Sequence, residues 1–296
     1  MSTEREISYY PGCSVKTNGI NFEKTALGVL ETLGITAVEL DSWYCCGVMY
    51  SMASDNLMYQ LAPVRTLIKA KESNRKKLLV LCSMCYNTLK RAERFLEADE
   101  EKRNTIAEFM DRESTSYSPD DIEVVHILEL LRDIGAKRIG KKLSKNVKPM
   151  KVAPYYGCLL TRPSEVAIDS DGDPVIMERI ISAVGCEPVY FPFKTECCGS
   201  FQIVNEPKIV RNRVRKIVGS AVKNGAEAIV LSCPLCYYNL DAVQKEVIEE
   251  DKSFEQLPVL YLTQLVALYF GIDPMINNFS LHAVDPVPTL KKKGLL

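Results

Sequence analysis

Histidine is almost missing from this 296-residue chain: only His126 and His282 are present. Without a third convergent group neither supports a nucleophilic triad, and each reads as a packed or exposed side chain rather than a ligand. An excess of charge of either sign is also missing. The 37 basic residues against 38 acidic ones give a formal charge of −1, which supplies no electrostatic footprint for a phosphate backbone and excludes nucleic acid as a partner. The opening MSTEREISYYPGC lacks a basic segment followed by an apolar run, so no secretory signal is visible. The longest apolar stretch, Pro258 to Ile272, is too short to span a bilayer and contains Thr263 and Gln264. A cytoplasmic protein without a membrane span is the expectation. Nor is there a Gly-rich dinucleotide fingerprint, so no flavin or nucleotide is expected on this chain.

Cysteine, by contrast, is abundant and patterned. Ten of the 11 cysteines spell one motif twice: a single Cys, an adjacent pair followed by Gly, then a pair two residues apart. The first copy is Cys13, Cys45, Cys46, Cys82 and Cys85, with 31 and 35 residues in the gaps; the second is Cys158, Cys197, Cys198, Cys233 and Cys236, with 38 and 34. In a reducing compartment such a pattern means metal or redox chemistry more often than crosslinks. More than the cysteines repeats: KLLVLCSMCYNTL matches AIVLSCPLCYYNL, and ISYYPGCSV matches VAPYYGCLL, at a period of about 150 residues. That length suits two units, each able to bury a core. The basic stretch Gly140 to Met150 separates them as a solvated linker, giving domains at 1–145 and 146–296.

Each half alternates strands and helices. In the first, strands are expected at Glu6–Tyr10, Ile35–Leu40, Lys77–Leu81 and around Val124, with helices at Asn21–Leu33, Asp55–Lys71 (broken or kinked at Pro63), Met84–Ala98 and Glu101–Arg112. In the second, strands fall at Val152–Tyr156, Pro188–Phe191 and Ala228–Leu231, and helices at Val175–Val184, Lys208–Lys223 and Tyr237–Glu249. Strands joined by crossover helices imply parallel sheets and right-handed connections. The expected fold class is α/β, two duplicated Rossmann-like three-layer domains with parallel sheets.

Parallel strands deliver their carboxyl ends to one edge, where open α/β sheets bind ligands. Cys13, Cys45, Cys46 and Cys82 each follow a predicted strand. Cys82 with Cys85, and Cys233 with Cys236, lie at the start of a predicted helix, where free amides and the helix dipole favour thiolate; Pro234 fits that first turn. Clustered buried thiolates demand a multivalent metal partner. Zinc takes four ligands and would leave one thiol over in each half, whereas an iron–sulfur assembly offers more metal positions to five.

On these motifs the chain resembles the HdrB family, the cysteine-rich subunits of heterodisulfide reductase, which is defined by duplicated CCG domains. The resemblance runs nearly the full length. It implies two non-cubane [4Fe-4S] clusters, one on Cys13, Cys45, Cys46, Cys82 and Cys85 and the other on Cys158, Cys197, Cys198, Cys233 and Cys236, facing across a pseudo-twofold axis. It implies reduction of a disulfide, such as that of coenzyme M and coenzyme B, held between them. It further implies an electron-bifurcating complex with a small ferredoxin-like iron–sulfur subunit and a flavin-containing subunit. Two alternatives stand beside this: an electron-relay subunit serving another substrate, and a structural subunit with zinc in one CCG site.

Lys16, Arg162 and Lys194 lie within four residues of the expected ligands and are candidates for holding an anionic substrate. Tyr9, Tyr10, Tyr155 and Tyr156, just before the first Cys of each copy, are expected to pack beside the site. Cys186, the eleventh, aligns with Ile35 and is expected in the core; His126 aligns near Tyr261.

Overall fold

The computed structural model describes residues 6–47, 57–110, 117–144, 148–169 and 172–296. The boundary drawn between residues 145 and 146 lies outside the described residues, as do the first residues of the Asp55–Lys71 helix and the last of the Glu101–Arg112 helix.

The first half contains β1 (Glu6–Tyr10), α1 (Cys13–Thr17), α2 (Ile20–Thr32), β2 (Thr36–Glu39), α3 (Leu61–Glu72), β3 (Lys77–Val80), α4 (Ser83–Ala98), α5 (Glu100–Phe109), β4 (Glu123–His126), α6 (Ile127–Ile134) and α7 (Ala136–Gly140). The second contains β5 (Lys151–Pro154), α8 (Ile176–Ala183), β6 (Glu187–Pro188), α9 (Gln202–Asn205), α10 (Pro207–Lys223), β7 (Ala228–Leu231), α11 (Pro234–Ala242), α12 (Gln244–Glu250), β8 (Val259–Tyr261), α13 (Leu262–Tyr269) and α14 (Val287–Lys293). Two four-stranded sheets result, in the orders β2-β1-β3-β4 and β6-β5-β7-β8, with every pairing parallel. The expected α/β class, two Rossmann-like units with parallel sheets, is what the chain adopts.

The central strands are apolar throughout because helices cover both faces of a parallel sheet. Leu78, Leu79 and Val80, like Ala228, Ile229, Val230 and Leu231, are all fully buried. In both sheets the order reverses between the first and third strands, which opens a crevice beyond their carboxyl ends. The loops that leave β1 and β3, or β5 and β7, therefore rise side by side, and they carry Cys13 with Cys82, or Cys158 with Cys233.

Three departures have local causes. The Tyr237–Glu249 helix is two helices: the Gln244 side-chain amide donates to the Leu240 carbonyl (2.6 Å) and the Leu257 carbonyl (2.9 Å), taking the acceptor that a continuing helix would use. The Pro188–Phe191 strand shrinks to Glu187–Pro188, since a proline cannot donate to the ladder. Pro63 sits in the first turn of α3, where its missing N–H costs least, and a 3-10 turn, Leu57–Gln60, precedes it. The apolar stretch Pro258–Ile272 folds as buried β8 and α13, and no helix among the described residues is long and apolar enough to cross a membrane.

The halves meet by exchanging helices: α13 packs on α2, and α6 on α8. Inside the first of these contacts, Thr25 and Thr263 share a buried hydrogen bond of 2.8 Å.

Candidate metal centre

Each five-cysteine set converges at the carboxyl edge of its sheet, so all ten thiols fall into two nests. In the first, Cys13 Sγ lies 4.0 Å from Cys45 Sγ and Cys46 Sγ lies 3.4 Å from Cys85 Sγ. In the second, Cys198 Sγ lies 3.5 Å from Cys236 Sγ, and Cys158 contacts Cys197. Cys82 and Cys233 are the N-caps of α4 and α11. They stand on either side of the junction between the two halves, each shifting the other's ionisation, so the nests share a wall at the pseudo-twofold.

That junction is tied by the residues beside the two cysteines. Ser83 donates to the Ser232 carbonyl through its N–H (3.3 Å) and its hydroxyl (2.8 Å). His126, fully buried at the N-cap of α6, bonds the Leu81 carbonyl through Nε2 at 2.9 Å and accepts the Leu128 N–H at Nδ1 (3.3 Å). It is therefore the neutral Nε2–H tautomer, and burial pushes its pKa down to about 3. A small cavity of about 20 Å³ at the second nest is lined by Ser83 and Met84 of the first half together with Cys158, Cys197, Cys198 and Cys233. The residues between the paired cysteines of one half thus wall the nest of the other.

The same tyrosine positions both adjacent pairs. Tyr10 donates its hydroxyl to the Tyr44 carbonyl (2.7 Å), immediately before Cys45, and Tyr155 does so to the Glu196 carbonyl (2.6 Å), immediately before Cys197. Tyr9 and Tyr156 instead reach the carboxylates of Glu23 and Glu178. All four rings are buried. Gly12 and Gly157 bring the backbone against the sulfurs: a Cβ at Gly12 would stand 2.9 Å from Cys85 Sγ, and one at Gly157 3.4 Å from Cys236 Sγ.

The nests are not identical. Cys13 and Cys45 are exposed, whereas Cys158 and Cys197 are half-buried; Cys46, Cys82, Cys85, Cys198, Cys233 and Cys236 are buried. Donors surround the second nest. Gly199 N–H points at Cys197 Sγ, and Ser200 N–H and Asn239 Nδ2 both point at Cys198 Sγ, each at 3.4 Å. Arg213 holds the Cys197 carbonyl at 2.8 Å and Glu196 at 2.7 Å. Hydrogen bonding among the thiols orders their ionisation. Donation from Cys233 and then Cys85 lowers the Cys82 pKa, and donation from Cys158 and then Cys198 lowers that of Cys197 to about 2. The corresponding protons are retained elsewhere: Cys198, bonded to Cys197, is pushed up to about 12, and Cys85, bonded to Cys46 and Cys82, is also raised.

These sulfurs fit a metal-based group. Two thiolates on one tetrahedral ion with bonds of about 2.3 Å stand about 3.8 Å apart, and the observed 3.4–4.0 Å brackets that value; a disulfide would need about 2.05 Å. The sulfurs approach in pairs, and among the described residues no three Cys, His, Asp or Glu are arranged around a single ion.

The three basic candidates are placed differently from the cysteines. Lys16 is held by Glu39 (2.6 Å) and Glu23 (2.8 Å). Lys194 is buried and bonded to Asp173 (2.5 Å), Glu178 (2.9 Å) and the Pro174 carbonyl (2.8 Å). Arg162 is exposed, and its backbone carbonyl accepts from Asn87 of α4 at 2.7 Å. Cys186 lies in the core, its thiol raised by burial, as expected for a small apolar residue. His282 is packed edge-on to Tyr237 and bonded to Gln264. Asn239, Arg213 and the Ser83–Ser232 tie escaped the sequence reading. Only Asn239 left a signal, three residues after Cys236 on the same helix.

Paired parallel α/β units with a thiol nest at each carboxyl edge define a duplicated cysteine-rich protein. The chain belongs to the cysteine-rich CCG domain family, whose model matches residues 7–90 and again 152–241. It is 31% identical to the 8-methylmenaquinol:fumarate reductase membrane anchor subunit of Wolinella succinogenes, over 95% of this chain and 98% of that one. It is 27% identical to the B subunit of the ferredoxin:CoB-CoM heterodisulfide reductase of Methanosarcina mazei, over 97% and 96%. It is 25% identical to a protein of Archaeoglobus profundus that is itself like the B subunit of heterodisulfide reductase, over 89% and 90%. Among solved structures, a hypothetical protein from Helicobacter pylori superposes with a TM-score of 0.71 at 14% identity; the match covers 95% of this chain and 52% of that one, and it speaks to the fold alone.

Proposed function

We propose that this chain is the iron–sulfur redox subunit of a multi-subunit oxidoreductase of the heterodisulfide reductase kind, acting on a small disulfide or its thiols. One non-cubane [4Fe-4S] cluster would be held by Cys13, Cys45, Cys46, Cys82 and Cys85, the other by Cys158, Cys197, Cys198, Cys233 and Cys236, in units spanning 1–145 and 146–296. The observation that carries this reading is the tie from Ser83 to the Ser232 carbonyl, which sets Cys82 and Cys233 on either side of one junction and joins the two nests at a common wall. Bound there, two one-electron centres supply the two electrons that cleavage of an S–S bond consumes. The chain's own residues hold the thiolates. Helix N-termini and the Gly199, Ser200 and Asn239 donors stabilise negative sulfur, Tyr10 and Tyr155 fix the adjacent pairs, and Met84 excludes water from the shared wall.

With ten thiols in the nests and Cys186 in the core, none is left for a relay cluster, so electrons come from partners: a small ferredoxin-like iron–sulfur subunit and a flavin-containing subunit. Lys16 and Lys194 are spent on carboxylates, which leaves Arg162 as the candidate for an anionic substrate group. The cytoplasm is the compartment that suits such thiols. A second reading, relay of electrons between a quinol and a fumarate-reducing partner, is favoured by the fumarate reductase relative, which this chain matches over 98% of its length.

Anaerobically purified protein decides between them. The proposal expects about eight irons per chain with matching sulfide, and a one-electron-oxidised electron paramagnetic signal that changes when thiol is added. A signal that ignores thiol and disulfide but decays with a quinol favours the relay. Zinc in place of iron in both nests overturns both readings.

A further inference from the structure

The duplication provides an internal control for each position, and at the crossings between the halves one pair of positions differs in kind. Aligned on Gly34 and Gly185, which end α2 and α8, residue 28 corresponds to 179; aligned on His126 and Tyr261, which cap α6 and α13, residue 132 corresponds to 267. The buried positions agree under this alignment: Thr25, Ala26, Val29 and Leu30 on α2 match Ile176, Met177, Ile180 and Ile181 on α8. At the α2–α13 crossing the two positions are Gly28 and a fully buried Ala267. A Cβ on Gly28 would already meet Ile276 at 3.4 Å and Ile272 at 3.9 Å, so the chain's own isoleucines fill that groove.

At the α6–α8 crossing the same positions are Arg132 and Arg179, and the groove is open. A cavity of about 240 Å³ lies there, floored by Leu131, Ile139, Ile176 and Ile180, all buried, with the two arginines in its lining. Arg132 uses Nε on Asp133 (2.9 Å) and one terminal nitrogen on the Ile168 carbonyl (3.2 Å). Arg179 has no partner among the described residues. An apolar floor beneath two guanidiniums, one of them unpaired, matches a ligand with an apolar body and a single anionic head. Guanidinium forks suit carboxylate and phosphate oxygens, and the cavity lies just below the usual range for drug-sized ligand sites, which suits a short ligand.

We propose that this cavity binds a short-chain amphiphile with a phosphate or carboxylate head, clamped by Arg132 and Arg179, its tail against Leu131, Ile139, Ile176 and Ile180. None of the ten cysteines lines it, and its occupancy is independent of what the nests carry.

Octyl phosphate and octanoate titrated calorimetrically into the full-length protein test this. Wild type is expected to bind one equivalent saturably, with octanol and inorganic phosphate at least about tenfold weaker, since each lacks half of the recognition. Arg179→Ala and Arg132→Ala each weaken octyl phosphate by about tenfold or more, the loss of a charge-assisted contact. Ala136→Trp, on the cavity lining with both arginines intact, blocks the tail to the same extent. Flotation with phosphatidylglycerol vesicles separates two sources of the head: binding lost in the arginine variants assigns it to a bilayer lipid, and no flotation beside intact octyl phosphate binding assigns it to a free amphiphile. Absence of saturable binding to wild type, or equal affinity in variants whose thermal unfolding matches wild type, overturns the proposal.

Discussion

A single methyl group placed at Gly12 or at Gly157 separates the backbone from the sulfur in the architecture of the nests. Both residues have positive φ, +72° and +68°, and Gly12 has ψ 163°, a region that only glycine occupies without a cost of about 1–3 kcal/mol. Alanine therefore carries strain at either place. What differs is the space. The Gly12 methyl would stand 2.9 Å from Cys85 Sγ, closer than real Cβ contacts come, and a tight 3.2 Å from the Tyr10 ring, whereas the Gly157 methyl meets Cys236 Sγ and the Tyr155 ring at 3.4 Å. Overpacking adds about 1–3 kcal/mol at the first site only. Gly12→Ala should thus cost about 4 kcal/mol and Gly157→Ala about 2 kcal/mol. Because Cys85 must move, Gly12→Ala should also leave about half of the iron, while Gly157→Ala keeps it. Urea unfolding of the reduced protein and iron determination on anaerobic samples read the two effects. Equal loss of stability, or full iron in Gly12→Ala, would refute the reasoning and with it the placing of Cys85 among the ligands.

Tyr155→Phe leaves the Glu196 carbonyl without its donor and should cost about 1–3 kcal/mol in urea unfolding; Tyr10→Phe should match it through Tyr44. Acid should destabilise the fold through two buried histidines, His126 at about 3 and His282 at about 4, both depressed by burial. Their folded pKa values lie below the unfolded 6.5, so their contribution is complete above pH 6.5 and is lost as pH falls through the folded values. Each gives a slope of about 1.4 kcal/mol per pH unit. Asp241, raised to about 6 by burial, acts in the opposite sense: its contribution is present below the unfolded value and is lost as pH rises through 6. Between pH 4 and 6 these three together contribute a net slope of about 1.4 kcal/mol per unit, and His126→Gln should lower the measured slope by about that much, an unchanged slope in equilibrium unfolding counting against the assignment. Asn239→Thr removes one hydrogen bond to Cys198 Sγ; at about 1 kcal/mol it should lower the one-electron potential of the second centre by about 40 mV in a redox titration and leave the first unmoved. Cys186→Ala should cost about 1 kcal/mol and no iron.

Most of the scaffold was legible because parallel strands buried on both faces write themselves as apolar runs: KLLV and AIVL became the central β3 and β7. The convergence of the cysteines was legible for the same reason, since three of the loops in each half follow strands that share an edge. What escaped depends on contacts between distant segments. That Gln244 would break a helix required Leu257 to stand beside it. That Lys16 and Lys194 would face carboxylates required Glu39 and Glu178, 23 and 16 residues away, to fold onto them. The tie between Ser83 and Ser232 crosses 149 residues, and nothing local to either serine announces it.

The duplication makes the departures from symmetry as informative as the motif itself. Where both copies keep a feature, such as the tyrosine on the carbonyl before each adjacent cysteine pair, the feature serves the common task of shaping a nest. Where they part, each half has been given something different. Asn239 reaches Cys198, while its counterpart Thr88 turns back onto the Met84 carbonyl at 3.0 Å and reaches no sulfur. The second nest is the more buried; the first leaves Cys13 and Cys45 exposed. Hydrogen bonds to sulfur and burial move a reduction potential in opposite directions, the first by stabilising added negative charge and the second by penalising it. Were each nest to hold a redox centre as proposed, burial would lower the potential of the second relative to the first, while the Asn239 donor to Cys198 would raise it.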